Sequence, residues 1–102
     1  MKAIFLFAIA AVTAAQAEIP AGRFMQDAGS GYRDVQISDD GKSAIWLTKD
    51  CLRCRETKST PEQVKDLDNG WIEVGKTQFQ VLSSTALFHP SMGDFSSAIE
   101  RD

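Results

Sequence analysis

Cys51-Leu52-Arg53-Cys54 is the motif in this 102-residue chain whose residue types and spacing point most directly to chemistry. Two thiols three positions apart can close a local disulfide, exchange with another disulfide, or ligate a soft metal ion. Lys49, Arg53, Arg55 and Lys58 surround the pair, against Asp50 and Glu56, so the segment carries a local charge of plus two. That surplus is expected to favour thiolate and lower a thiol pKa. Thioredoxin-like enzymes, however, place such a pair at a helix start inside a larger α/β fold, and the order of elements here does not supply one. Covalent c-type haem needs a histidine after the second cysteine, where this chain has Arg55.

A soft-metal site could be drawn from Cys51, Cys54, His89 and Met92, with Cu(I) or Zn(II) as the ion. Against it, Pro90 interrupts any helix that would align His89 with Met92. The plainer expectations are a turn histidine and a packing methionine. His89 is the single histidine, and a hydrolytic triad with Ser83 or Ser84 and Asp94 has no nucleophile elbow or oxyanion hole to support it. Asp39-Asp40-Gly41 lacks the spaced ligands of a calcium loop and is explained by a hairpin turn. Trp46, Trp71 and Tyr32 are candidate anchors for a binding surface wherever they are exposed, and core residues otherwise.

The compartment decides among the cysteine readings. Lys2 supplies a positive start, residues 3–12 are uniformly apolar, and Ala15-Gln16-Ala17 is a small-x-small cleavage site followed by Pro20. A membrane span needs about 20 apolar residues, more than this run provides. Residues 1–17 therefore read as a cleavable signal peptide, and residues 18–102 as one small domain delivered to the periplasm or secreted. In an oxidising compartment the default for Cys51 and Cys54 is a disulfide. A ring of about four residues gains roughly 2 kcal/mol from lost chain entropy, so the bridge is expected to pin a loop rather than staple the domain.

Loss of Lys2 with the signal takes the net charge from −3 to −4. A mildly acidic chain without a basic stripe is not a general nucleic-acid binder, nor a polybasic membrane-surface protein. No second long apolar run follows the signal, so no membrane span is expected in the mature chain.

The elements that must position these residues read as mainly β. Arg23, Phe24 and Met25 suggest a short first strand. Residues 32–38 alternate in polarity, Asp39-Asp40-Gly41 turns, and residues 42–48 form the partner of a hairpin. Residues 49–59 read as a polar connection. Thr60, Pro61 and Gln63 resemble a helix N-terminus with a capping box, Val64 and Leu67 could share its buried face, and Asp68-Asn69-Gly70 would end it, which places one short helix near residues 61–68. Residues 71–74 and 77–83 alternate around a Gly75-Lys76 turn, and residues 86–88 begin a last strand before a short C-terminal helix or loose tail from Asp94. The expected core is Phe24, Tyr32, Val35, Ile37, Ile45, Trp46, Leu47, Val64, Leu67, Trp71, Ile72, Val74, Phe79, Val81, Leu82, Leu87 and Phe88. The expectation is a small antiparallel sheet or barrel of four to six short strands with one short helix. With one histidine, no catalytic constellation and no implied cofactor, the function expected is non-enzymatic binding or structural interaction with a protein or envelope component. The alternative is a Cys-centred function, either soft-metal binding or thiol–disulfide exchange.

Overall fold

The computed structural model describes residues 19–52 and 54–98. The expected signal peptide, residues 1–17, lies outside the described residues. The described chain is mainly β: ten antiparallel strands, β1 (Gly22–Phe24), β2 (Asp27–Ala28), β3 (Gly31–Ile37), β4 (Ser43–Asp50), β5 (Arg55–Lys58), β6 (Glu62–Asp66), β7 (Trp71–Val74), β8 (Thr77–Ser83), β9 (Ala86–His89) and β10 (Gly93–Ser96). They form one sheet in the order β1-β3-β4-β6-β7-β8-β9-β10, with β2 on β3 and β5 on β4. Met25 and Ser96 exchange both backbone hydrogen bonds, each 2.9 Å, and so nearly close the sheet into a barrel.

Two corrections to the sequence expectation follow. The strands number ten rather than four to six, because several are pieces of longer bent strands. β1 and β2 keep one register on β3 and are parts of a single strand. β5 and β6 both pair with β4, but their registers differ by one residue (Leu47↔Lys58 against Ala44↔Glu62), so a bulge at residues 59–61 splits them. There the Ser59 hydroxyl accepts the Trp46 N–H at 2.9 Å, and Pro61 has no N–H to offer a ladder.

Nor is there a helix at residues 61–68. Those residues supply β6, held between β4 and β7. A helix of two turns is marginal alone, whereas a strand here completes hydrogen-bond ladders on both sides. Glu62, Val64 and Asp66 alternate with Gln63 and Lys65, and only Val64 is buried. Asp68-Asn69-Gly70 is a hairpin turn, not a helix end: Asn69 (φ 64°) and Gly70 (φ 81°) both take the left-handed conformation that a type I′ turn requires, and the Leu67 N–H donates to Trp71 at 2.8 Å. Likewise the segment from Asp94 contributes β10 rather than a helix, because the barrel needs a strand between β9 and β1.

The two other hairpins stand as expected. Asp40 accepts from the Ser38 hydroxyl (2.6 Å) and the Lys42 N–H (3.0 Å) in the β3–β4 turn. Val74 faces Thr77 across Gly75-Lys76.

The barrel interior is filled. Phe24, Val35, Ile37, Ala44, Val64, Ile72, Val74, Phe79, Leu87 and Phe95 form its core, with Ile19, Trp46, Val81 and Met92 packed against them. Phe79 meets Trp46, Phe95 and His89 with ring centroids 5.8, 5.4 and 5.7 Å apart. Ala44 and Phe95 were missing from the expected core, and Leu82, assigned to it, is 52% exposed. Outward-facing Gln36, Gln63, Lys65 and Gln78 are exposed, the reverse of the apolar exterior of a transmembrane barrel. Among the described residues no helix is long and apolar enough to cross a membrane.

Candidate interaction surface on the β4–β5 hairpin

Residues 49–59, expected as a connection, are in fact the end of β4, a four-residue loop and β5. β4 is long enough to pair with β6 near Ser43 and with β5 near Asp50, so its second half leaves the ring. Together with β2 and the start of β3 it makes a four-stranded extension. Both cysteines sit in the loop at its tip. Asp50 closes that loop: its carbonyl accepts the Cys54 N–H at 2.8 Å, and its carboxylate accepts the Leu52 N–H at 3.0 Å. Leu52, beside them, is 91% exposed. Cys54 adopts φ 49°.

The base of the extension depends on one glycine. A Cβ at Gly31 would lie 1.8 Å from the Lys49 carbonyl oxygen, so β3 and β4 approach more closely there than a side chain permits. Gly31→Ala is expected to cost about 1–3 kcal/mol through overpacking and to loosen the hairpin before the barrel. Amide hydrogen exchange checks it: protection should fall at Lys49 and Thr57 first, and a uniform loss across β6 to β9 would contradict the assignment.

One face of the extension carries a polar network. Tyr32, Lys49 and Glu56 stand in one cross-strand row. The Tyr32 hydroxyl donates to Glu56 Oε2 at 2.5 Å, and Arg23 Nη2 donates to the same oxygen at 2.7 Å. Arg23 Nε donates to Asp34 Oδ2 at 2.9 Å, and the Gln26 N–H to Asp34 Oδ1 at 3.1 Å. Asp34 is fully buried, while the Arg23 side chain is 35% exposed. The Arg23 guanidinium and the Lys49 ammonium lie 5.5 and 5.9 Å from the Tyr32 ring centre. Four strands are thereby tied through their side chains.

The network has a pH signature. The Tyr32 hydroxyl and Arg23 hold the Glu56 carboxyl below its usual range. The hydrogen bond to ionised Glu56 pushes the Tyr32 phenol above its usual value. Glu56, lowered on folding, contributes stability above its unfolded pKa that is lost as pH falls through its folded one. Tyr32, raised on folding, contributes stability below its unfolded pKa that is lost as pH rises through its folded one. Hairpin protection is therefore expected to be greatest between these limits. Tyr32 is the single tyrosine, so ultraviolet titration reads it alone. Glu56→Gln should bring its midpoint back toward the ordinary phenol value, and an unmoved midpoint would contradict the pairing.

The opposite face bears an open groove of about 360 Å³ lined by Thr48, Asp50, Leu52, Arg55 and Thr57. Its volume lies within the range of small-ligand sites, and its open mouth also admits side chains of a macromolecule. β5 also has an open edge. Ser59 donates to the Trp46 carbonyl, which makes 46↔59, 48↔57 and 50↔55 the hydrogen-bonded pairs of this ladder. The N–H and C=O groups of Glu56 and Lys58 therefore point away from β4.

The remaining candidates are placed elsewhere. Cys51 and Cys54 are free thiols, and the Cys54 thiol donates to the Cys51 carbonyl at 3.2 Å. The Cys54 thiol is pushed up, chiefly by its hydrogen bond with Cys51, and Lys49 opposes this only in part. At Cys54 the thiolate-favouring effect of Lys49 is thus outweighed.

His89 Nδ1 accepts the N–H groups of Ser91 and Met92, both at 3.0 Å, and so shapes the β9–β10 turn. Met92 packs on the core, and its sulfur accepts from Arg33 at 2.8 Å. Among the described residues no three His, Cys, Asp or Glu side chains gather where a metal could be held. Ser83 bonds with Thr85, at 3.2 Å, rather than with His89. Trp46 belongs to the core, with Nε1 donating to Glu62 at 3.2 Å. Trp71 is half-buried on the outer face, in a row with Gln80 and Phe88. Tyr32 joins the network above.

Sequence reasoning missed Arg23, Asp34 and Glu56. A charged residue in an alternating strand reads as a solvated one, and nothing local marks Asp34 as buried. Comparison with known proteins adds no relative: no family model, no curated protein and no solved structure matches this chain.

Proposed function

We propose that the mature chain, residues 18–102, is an exported, non-enzymatic binding protein that engages a protein partner through the β4–β5 hairpin. The network behind the hairpin carries this reading. Arg23, Tyr32, Asp34 and Glu56 tie β5 and the start of β3, which lie outside the closed part of the barrel, to β1 within it. They add nothing to the main core. What they provide is a fixed frame for Leu52, Arg55 and the groove, and a preorganised surface loses less entropy on association. Periplasmic or secreted delivery rests on the signal-like residues 1–17. It agrees with Ile19, just after the expected cut, being already packed against the barrel.

In that compartment Cys51 and Cys54 close the loop as a disulfide, which further restricts the tip. They stand at the two ends of one four-residue loop, and intact mass before and after reduction with alkylation reads the bridge directly. A mature protein that alkylates fully without reductant contradicts it. The Cys-centred alternative gains little support from a raised Cys54 thiol, since exchange and ligation both require thiolate.

Affinity capture from periplasmic extract tests the reading. The wild-type protein should retain one specific partner, and Leu52→Ser should retain much less. Equal capture by both proteins, or repeated recovery of none, contradicts the assignment.

A further inference from the structure

The geometry points to the open edge of β5 as the docking site for an extended, acidic segment of the partner, added to the sheet as a further antiparallel strand. This rests on the hairpin being the binding element and specifies what it binds.

The first observation is the backbone. Among the described residues β5 pairs with β4 alone, and all four of its residues are exposed. The register turns the N–H and C=O groups of Glu56 and Lys58 toward open solvent, two donors and two acceptors at the spacing that an incoming strand requires.

The second is the groove on one face of the same strand pair. A strand laid beside β5 sends alternate side chains to that face, next to Arg55 and Thr57.

The third is charge. Among the described residues Arg55 and Lys58 have no ion pair, whereas Glu56 is already engaged by Arg23 and Tyr32 and Asp50 by the Leu52 N–H. Residues 49–58 carry four basic and two acidic side chains, a surplus of plus two in a chain whose net charge is −3. Charged side chains on an edge discourage pairing with another copy of the same edge, and here their sign favours an acidic strand instead. Like charges directly opposite one another are destabilising, and opposite charges are favourable.

The test uses the mature protein and synthetic acetylated peptides of alternating Glu and Thr, alternating Lys and Thr, and the acidic peptide with every backbone amide N-methylated. The acidic peptide should bind about tenfold or more tighter than the basic one. It should shift the Glu56 and Lys58 amide resonances most and slow their hydrogen exchange. Lys58→Glu should weaken it by a similar factor while leaving the fold intact by circular dichroism. N-methylation should abolish binding, because it removes the donors of an added strand. Equal binding of acidic and basic peptides, undiminished binding after N-methylation, no binding of any peptide, or concentration-dependent dimerisation through β5 would each overturn the proposal. Leu52-dependent capture that survives such a failure leaves the hairpin reading standing. Loss of Leu52 dependence removes the reading on which the proposal rests.

Discussion

Phe79→Ala is expected to lower the folding stability of the protein far more than any surface substitution. Phe79 is fully buried and stands where the rings of Trp46, Phe95 and His89 converge. Removing it costs about 3–5 kcal/mol, from lost burial and from the cavity that the surrounding rings can only partly close. A domain of this size has roughly 4–12 kcal/mol in total, so the loss reaches from about a quarter of its stability to all of it. Leu82→Ala, on the same strand but 52% exposed, should cost under about 1 kcal/mol. Urea unfolding of both variants compares them. A larger shift in midpoint for Leu82→Ala than for Phe79→Ala would mean that β8 has the opposite facing, with Leu82 inside.

The second large effect concerns the network rather than the core. Arg23→Met removes the guanidinium that pairs with fully buried Asp34, while the Gln26 N–H still donates to that carboxylate. Removing one partner of a buried ion pair costs about 3–5 kcal/mol, and the partial exposure of Arg23 argues for the low end, about 3 kcal/mol. Much of that cost is the stranded charge, so adding Asp34→Asn to Arg23→Met should recover part of it, since an amide still accepts from Gln26. Thermal or urea unfolding of the single and double variants decides the matter. A double variant no more stable than Arg23→Met would mean that Asp34 is not the buried group that Arg23 compensates. The single variant should also release Glu56, so hydrogen exchange should quicken in β5 while β7 to β9 change only with global stability.

How much was legible in the sequence follows from range. Alternating polarity and short-range turn chemistry revealed β3, β4, β7, β8 and β9, because Asp40-Gly41 and Gly75-Lys76 specify hairpins through their own backbone preferences. The same kind of local signal misled at residues 60–70. Thr60-Pro61 caps a helix as readily as it breaks a strand, and Asn69-Gly70 ends a helix as readily as it turns a hairpin. Pairing of β6 with both β4 and β7 resolved the ambiguity, and its β4 partner is not local in sequence. Phe95 went unread because its strand, β10, pairs with β9 across residues 90–92, where Pro90 reads as a strand stop.

The candidate site was half visible. The sequence marked Cys51, Cys54 and their surplus of positive charge, but treated residues 49–59 as a connection. It gave no sign that Arg23 and Glu56, 33 positions apart, share one hydrogen bond. Such a network depends on the curl of the sheet, which no local pattern encodes.

The central claim is that the β4–β5 hairpin, rather than another face of the barrel, meets the partner. The rival surface is the outer face near Trp71, Phe88 and exposed Leu82. Photo-crosslinking in living cells, with the photoreactive residue placed at Leu52 in one variant and at Leu82 in another, tests this most directly. The account predicts one specific adduct from position 52 and none from position 82; an adduct formed only from position 82 would contradict it.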